Sequence, residues 1–149
     1  MTEYLEITVD KFIFRVAADR YYHAEGVWAR LEGDRVRIGL SDFLQQRSGD
    51  VAFAEVKPAG TPVATGDEVA VIETIKVNIA LGSPVSGLVV EVNPNMETAP
   101  EAINQDPYGA GWLALLEPRD WLVDQAQLLE PAAYLVKMKV EAEREANAR

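Results

Sequence analysis

Not one cysteine occurs among the 149 residues. The polypeptide therefore makes no disulfide, builds no thiolate metal site and supplies no thiol nucleophile, so any redox or sulfur chemistry must come from an attached group. Histidine is nearly as scarce. His23 stands alone, which excludes a multi-histidine metal site, and no serine or cysteine motif accompanies it to make a nucleophile–base pair. It reads as a strand-edge or surface residue. No apolar run approaches the length of a membrane span, and Met1 to Asp10 is acidic rather than basic and apolar, unlike a secretory signal. The expected location is cytoplasmic. Positive charge is also short, with 14 Lys and Arg against 24 Asp and Glu, a net charge of −10. Neither nucleic acid nor an anionic membrane is an expected partner, because both require basic patches. Enzymes with basic docking surfaces are favoured instead. Solubility alone would explain the same acidity, so charge does not choose between functions.

What the chain does have is short β-prone runs punctuated by glycine and proline. Its length suits one domain, and 48% hydrophobic and 26% charged residues suit a globular one. The stretch from Gly66 to Gly87 organises the rest. A Gly66-Asp67 turn signal leads into Val69 to Ile72, and a second run, Val77 to Leu81, is stopped by Gly82 and Pro84. Two such runs with polar residues between them predict a hairpin. Lys76 falls at or beside its tip, where a charged side chain needs no burial. Val69, Val71, Ile79 and Leu81 are expected to stiffen it. On local pattern alone a tip lysine is ordinary solvated punctuation.

The wider context says more. Glu73-Thr74-Ile75-Lys76, then Ser83-Pro84-Val85-Ser86-Gly87, then Asn104-Gln105-Asp106-Pro107-Tyr108-Gly109-Ala110-Gly111-Trp112 follow one another in order. Together they resemble the H protein of the glycine cleavage system, over roughly Tyr22 to Tyr134. That resemblance implies a lipoyl carrier, with lipoate attached to Lys76 and Glu73 helping the lipoate-attaching enzyme recognise the site. For Glu73 a solvated carboxylate is the competing reading. The implied fold is mainly β, a flattened barrel-sandwich hybrid of the lipoyl and biotinyl type, with short helices and a C-terminal helix. Residues 1–21 are expected as an N-terminal extension packed on the domain, 22–130 as the carrier domain, and 131–149 as a helix of that same domain. Biotin is disfavoured, because biotin carriers typically flank their lysine with methionines and here the flanks are Ile75 and Val77.

Along the chain, Tyr4 to Phe14 reads as an early strand or extended arm. Arg20 to Arg30 and Val36 to Leu40 read as a hairpin turning at Glu32-Gly33-Asp34-Arg35. Ser41 to Arg47 reads as a short helix, with a capping box from Asp42 to Gln45 unless Ser41 caps. Val51 to Val56 is a strand expected to place Val51, Phe53 and Glu55 on one face. Gly49-Asp50 before it echoes Gly66-Asp67 before the next, a hint of two quasi-equivalent halves. Asn93 to Pro100 is a loop before a helical turn at Glu101 to Asn104. Trp112 to Leu116 reads as a buried strand with Trp112 in the core. The tail is helical from Trp121 to Leu129 and again from Pro131 to Glu145, where Tyr134, Leu135, Met138 and Ala142 form a face expected to pack on the barrel.

One departure bears on the pathway. The family commonly has Glu-His-Glu-Trp ahead of its first long strand, whereas this chain has Glu25-Gly26-Val27-Trp28. The residue after the lysine, usually Ala or Ser, is Val77. These changes, with the N-terminal Phe12-Ile13-Phe14-Arg15-Val16 segment, are similar to the H-protein-like lipoate-binding proteins of sulfur oxidation. The preferred expectation is a non-catalytic lipoyl carrier shuttling sulfur-bound intermediates, with a heterodisulfide-reductase-like complex as partner. The alternatives are a glycine cleavage H protein carrying an aminomethyl group among the glycine cleavage enzymes, including dihydrolipoyl dehydrogenase, and an unmodified β-rich interaction module.

Overall fold

The computed structural model describes residues 2–148; Met1 and Arg149, the outermost residues of the two expected end segments, lie outside it. The chain opens with a hairpin, β1 (Tyr4–Val9) and β2 (Phe12–Ala17), in antiparallel register from Tyr4 opposite Ala17 to Val9 opposite Phe12. The single strand expected from Tyr4 to Phe14 is thus two, because Asp10 takes the turn at φ 58°. A short polar side chain tolerates that left-handed geometry better than most. The next strands are β3 (Tyr21–Tyr22), β4 (Val27–Glu32) and β5 (Arg35–Leu40), the last two joined at Gly33-Asp34. Helix α1 (Asp42–Ser48) is capped by Ser41, whose Oγ accepts from the Leu44 amide at 3.2 Å. Asp42 instead takes the side-chain amide of Gln45 at 2.8 Å.

Strands β6 (Val51–Val56), β7 (Pro62–Val63), β8 (Glu68–Thr74), β9 (Asn78–Gly82) and β10 (Gly87–Val92) follow. Two one-turn helices, α2 (Asn95–Thr98) and α3 (Ala102–Gln105), lead to β11 (Ala114–Pro118), α4 (Trp121–Gln125) and the long α5 (Pro131–Asn147). A six-stranded sheet runs β3-β4-β5-β11-β10-β7 and a three-stranded sheet runs β6-β8-β9. Ile38, Leu40, Val69, Ile72, Val89 and Leu116 belong to one core cluster drawn from both sheets. The mainly β, flattened barrel-sandwich architecture expected from the sequence is the one observed.

Strand bulges correct the expected faces. β6 is irregular between Val51 and Phe53, so Val51 and Phe53 do not share a face: Val51 is buried and Phe53 is 68% exposed. β8 is irregular between Glu68 and Ala70. Val69 and Ala70 are consequently both buried, and the inward set continues with Ile72 and Thr74. Val71 and Ile79 are only half-buried, so the hairpin is stiffened chiefly by Val69, Ala70, Ile72 and Leu81. An extra residue in one strand resets the two-residue alternation, which simple pattern counting cannot anticipate.

The helical tail also packs differently from expectation. Tyr134, Met138 and Ala142 join Val9, Phe14, Val16, Tyr22, Trp28 and Phe43 in a second apolar cluster. Helix α5 therefore rests mainly on the N-terminal hairpin rather than on the barrel. Tyr134 stacks on Tyr22 with ring centres 4.5 Å apart, and Phe14 meets Phe43 edge-on at 5.4 Å. Side chains of this size each contribute roughly 1.5–3 kcal/mol on burial. Trp28, not Trp112, is the fully buried tryptophan. Trp112 precedes β11 and lies half-buried under the Arg37 guanidinium, 4.3 Å from the ring centre.

Candidate functional site

Lys76 sits in the three-residue connection Ile75-Lys76-Val77 between β8 and β9, beyond the last cross-strand pair, Glu73 opposite Asn78. The connection is held from beneath by Thr74. Its hydroxyl donates to the Ser48 carbonyl at 2.7 Å and accepts from the Lys76 and Val77 amides at 3.2 and 3.0 Å. The Ile75 amide donates to the Asp50 carbonyl at 3.1 Å. The tip is thereby fastened to the turn that joins α1 to β6. Thr74 is buried because the β8 bulge puts it in the inward set with Ala70 and Ile72.

The lysine side chain lies back over that turn. Its Nζ donates to the Arg47 carbonyl at 3.1 Å, and its Cδ would lie 3.1 Å from a β-carbon added to Gly49. Gly49 has φ 91°, so glycine serves there both for its backbone angle and for the lysine's passage. The last carbonyls of a helix carry partial negative charge, which suits an ammonium group. Lys76 nonetheless remains exposed. Glu73 is exposed as well, on the outward face of β8.

Beside β9 runs a cleft of about 500 Å³, bordered by His23, Glu25, Arg47, Val77, Lys137 and Glu141 among others. His23 accepts the Glu25 amide on Nδ1 at 3.0 Å. Lys137 pairs with Glu141 at 3.3 Å, and Arg47 with Glu145 at 2.8 Å. Gly26 and Val27 stand nearby, and neither offers a polar side chain. Gly26 has φ 105°, and a β-carbon there would come within 3.0–3.1 Å of Leu44 Cβ, Ser41 Oγ and Tyr134 Oη. The Ser41 and Tyr134 hydroxyls are 2.8 Å apart. Burial pushes the Tyr134 phenol above its ordinary pKa, so it keeps its proton at neutral pH. Burial likewise pushes Tyr108 up to about 12.

Sequence reasoning singled out Lys76 and Glu73 as site residues and gave no role there to Thr74, Arg47 or Gly49. The inward turn of Thr74 follows from the β8 bulge, which the motif around the lysine does not announce. Among the described residues no cluster of three or more His, Cys, Asp or Glu is placed to hold a metal, and no helix is long and apolar enough to cross a membrane.

The site is an exposed amine on a rigid hairpin of a barrel-sandwich, with a cleft alongside and room above it for a covalently attached group. The glycine cleavage H-protein family model matches residues 20–145. The glycine cleavage system H protein of Thermus thermophilus is 41% identical over 127 residues, covering 85% of this chain and 98% of the relative. H protein 4 of Aquifex aeolicus is 36% identical over 133 residues, covering 89% of this chain and 78% of that one. The crystal structure of the Mycobacterium marinum H protein superposes with a TM-score of 0.75 at 31% identity, covering 82% of this chain and 98% of the other. The chain belongs to the glycine cleavage H-protein family, whose members are lipoyl carriers rather than catalysts and hold lipoate covalently on a lysine.

Proposed function

We propose that Lys76 is the lipoyl-bearing residue and that the protein carries an aminomethyl group for glycine cleavage. The observation that carries this reading is the tip itself: an exposed lysine whose backbone is held by the buried Thr74 hydroxyl at 3.0–3.2 Å. Amide formation at Nζ removes the lysine's charge and leaves a flexible arm. When bound, lipoate supplies a dithiolane that can be reduced, loaded and reoxidised. The chain's own part is positional. Thr74 and the Asp50 carbonyl hold the base of the arm, and the cleft beside β9 offers it shelter from solvent. Glu73 serves the lipoate-attaching enzyme as a recognition group. The working partners on this reading are the glycine decarboxylase, the aminomethyl transferase and dihydrolipoyl dehydrogenase, in the cytoplasm. Residues 1–21, 22–130 and 131–149 act as extension, carrier and closing helix of one domain. The relatives' shared glycine cleavage naming supports this reading over sulfur carriage.

One observation favours carriage of sulfur-bound intermediates for a heterodisulfide-reductase-like complex. Where family members commonly have His-Glu, this chain has Gly26 and Val27, and the space around Gly26 is filled by Leu44, Ser41 and Tyr134. A single experiment separates the readings. The lipoylated protein is mixed with glycine decarboxylase and assayed for glycine-dependent exchange of labelled bicarbonate, then offered a sulfane-sulfur donor and weighed. Exchange without sulfur uptake supports glycine cleavage; sulfur gained on the arm without exchange supports the second reading.

A further inference from the structure

Phe53 is an aromatic left exposed in the middle of a strand. It lies in the middle of β6 with 68% of its surface exposed, directly opposite Glu73 of β8. Ile75 and Val77, on either side of Lys76, are 76% and 44% exposed. Glu55 lies two residues along from Phe53 and opposite Val71, and Asp50 supplies the carbonyl that holds Ile75. The result is an apolar spot beside the lysine with Asp50, Glu55 and Glu73, all exposed, around it. Lys57, just past the end of β6, is engaged by Glu68 at 3.7 Å. Single exposed apolar residues need no explanation, but an aromatic on a strand grouped with two aliphatics around a modifiable lysine marks a contact surface.

We infer that the outer face of β6 and β8, anchored by Phe53, is the docking surface for the lipoate-attaching enzyme. The inference rests on Lys76 being the attachment site and adds the residues by which its enzyme holds on. The position of Nζ chooses the occupant. The amine is 3.1 Å from the Arg47 carbonyl, folded back against the end of α1. An enzyme that acylates it must bring its own reacting centre to the hairpin tip, where Ile75 adjoins the lysine in the chain and Phe53 faces Glu73 across β6 and β8. Enzymes that work on the far end of the arm can stand an arm's length away. In the acylation, Nζ gives up a proton and attacks an activated lipoyl carbonyl. The new C–N bond forms as the bond from that carbon to a phosphate oxygen breaks, the phosphate-bearing group leaves, and the nitrogen sheds a second proton to become the amide. The complementary partner has an apolar pocket for Phe53 and a basic rim for the three carboxylates.

The test is steady-state lipoylation of the unmodified protein by a lipoate–protein ligase with ATP and lipoate, followed by intact mass. Phe53→Ala should raise KM for the carrier about tenfold with kcat unchanged, the size expected for loss of a buried aromatic anchor. Leu122→Ala removes an equally exposed apolar residue from α4 and should leave KM alone. Both variants should melt as the parent does, since neither side chain is buried. An unchanged KM for Phe53→Ala, or an equal rise for Leu122→Ala, overturns the docking assignment. Failure of the parent protein to gain lipoate on Lys76 overturns the attachment site itself, a result visible before any variant is compared.

Discussion

Thr74 Oγ1 lies 2.7 Å from the carbonyl oxygen of Ser48, and through this bond the lysine-bearing hairpin is tied to the end of α1. The same oxygen receives the amides of Lys76 and Val77 in the loop. Thr74→Val keeps the shape and β-branching but leaves a buried carbonyl and those two amides without their partner. The expected cost is about 1–3 kcal/mol, the range for unmet buried polar groups. The lipoylation rate should fall as well, because the lysine loses its fixed presentation. Thermal melting and ligase kinetics check both halves; a stable variant modified at the parent rate would mean that the tie is dispensable.

Lys76→Arg tests the attachment site with little structural disturbance. The side chain is exposed and makes one hydrogen bond, to the Arg47 carbonyl, which a guanidinium can also donate. The variant should melt within about 0.5 kcal/mol of the parent, as surface changes usually do. Intact mass should show no lipoate, because a guanidinium that stays protonated is no acyl acceptor.

The hairpin and its lysine were readable because glycine and proline punctuate the β-branched runs and because the tip lysine has a recognisable motif around it. The faces of β6 and β8 were not. Each bulge adds a residue that local hydrophobicity does not announce, and it is those bulges that turn Phe53 outward and Thr74 inward. The docking of α5 was equally hidden. Tyr134, Met138 and Ala142 announce an apolar face at helical spacing, but only the folded chain reveals that its partner is the N-terminal hairpin, whose own turn at Asp10 carries no glycine.

That partnership is itself testable. Phe14, on β2, is buried against Phe43 in the cluster it shares with Tyr134, Met138 and Ala142 of α5. Phe14→Ala should cost about 3–5 kcal/mol, the usual range for emptying a buried aromatic site. Amide hydrogens of α5 should exchange faster in the variant than those of β8 and β9, which belong to the other core. Uniform acceleration across both would mean that the two clusters unfold as one unit.

Acid should weaken the protein through Glu32 and Asp19. Burial alone would raise the Glu32 carboxyl, but Arg37 at 2.9 Å and Arg30 at 2.6 Å outweigh it and hold it below the ordinary 4.5. Asp19 is treated likewise, its burial outweighed by Arg20 at 2.7 Å. A carboxyl with a depressed folded pKa contributes stability that is complete above its unfolded value and lost as pH falls through the folded one. The melting temperature should therefore hold steady near neutrality and decline from about pH 4.5 downward. Glu32→Gln should lower the plateau and flatten the acid slope. A variant whose acid slope matches the parent's would remove Glu32 from the account.

Gly26 decides how far the cleft can resemble that of a histidine-bearing relative. At φ 105° any other residue is strained, and an added β-carbon would crowd Leu44 Cβ at 3.0 Å and the Ser41 and Tyr134 hydroxyls at 3.1 Å. Ser41 also caps α1, so displacing it loosens the helix whose last carbonyls receive Thr74 and Lys76. Gly26→Ala should consequently lose about 1–3 kcal/mol from backbone strain alone, and Tyr134→Phe in the same chain should recover part of that by removing one of the crowding oxygens. If Gly26→Ala melts with the parent, the wall around position 26 yields easily. The cleft could then accept a polar side chain there, and the observation favouring sulfur carriage over glycine cleavage would lose its force.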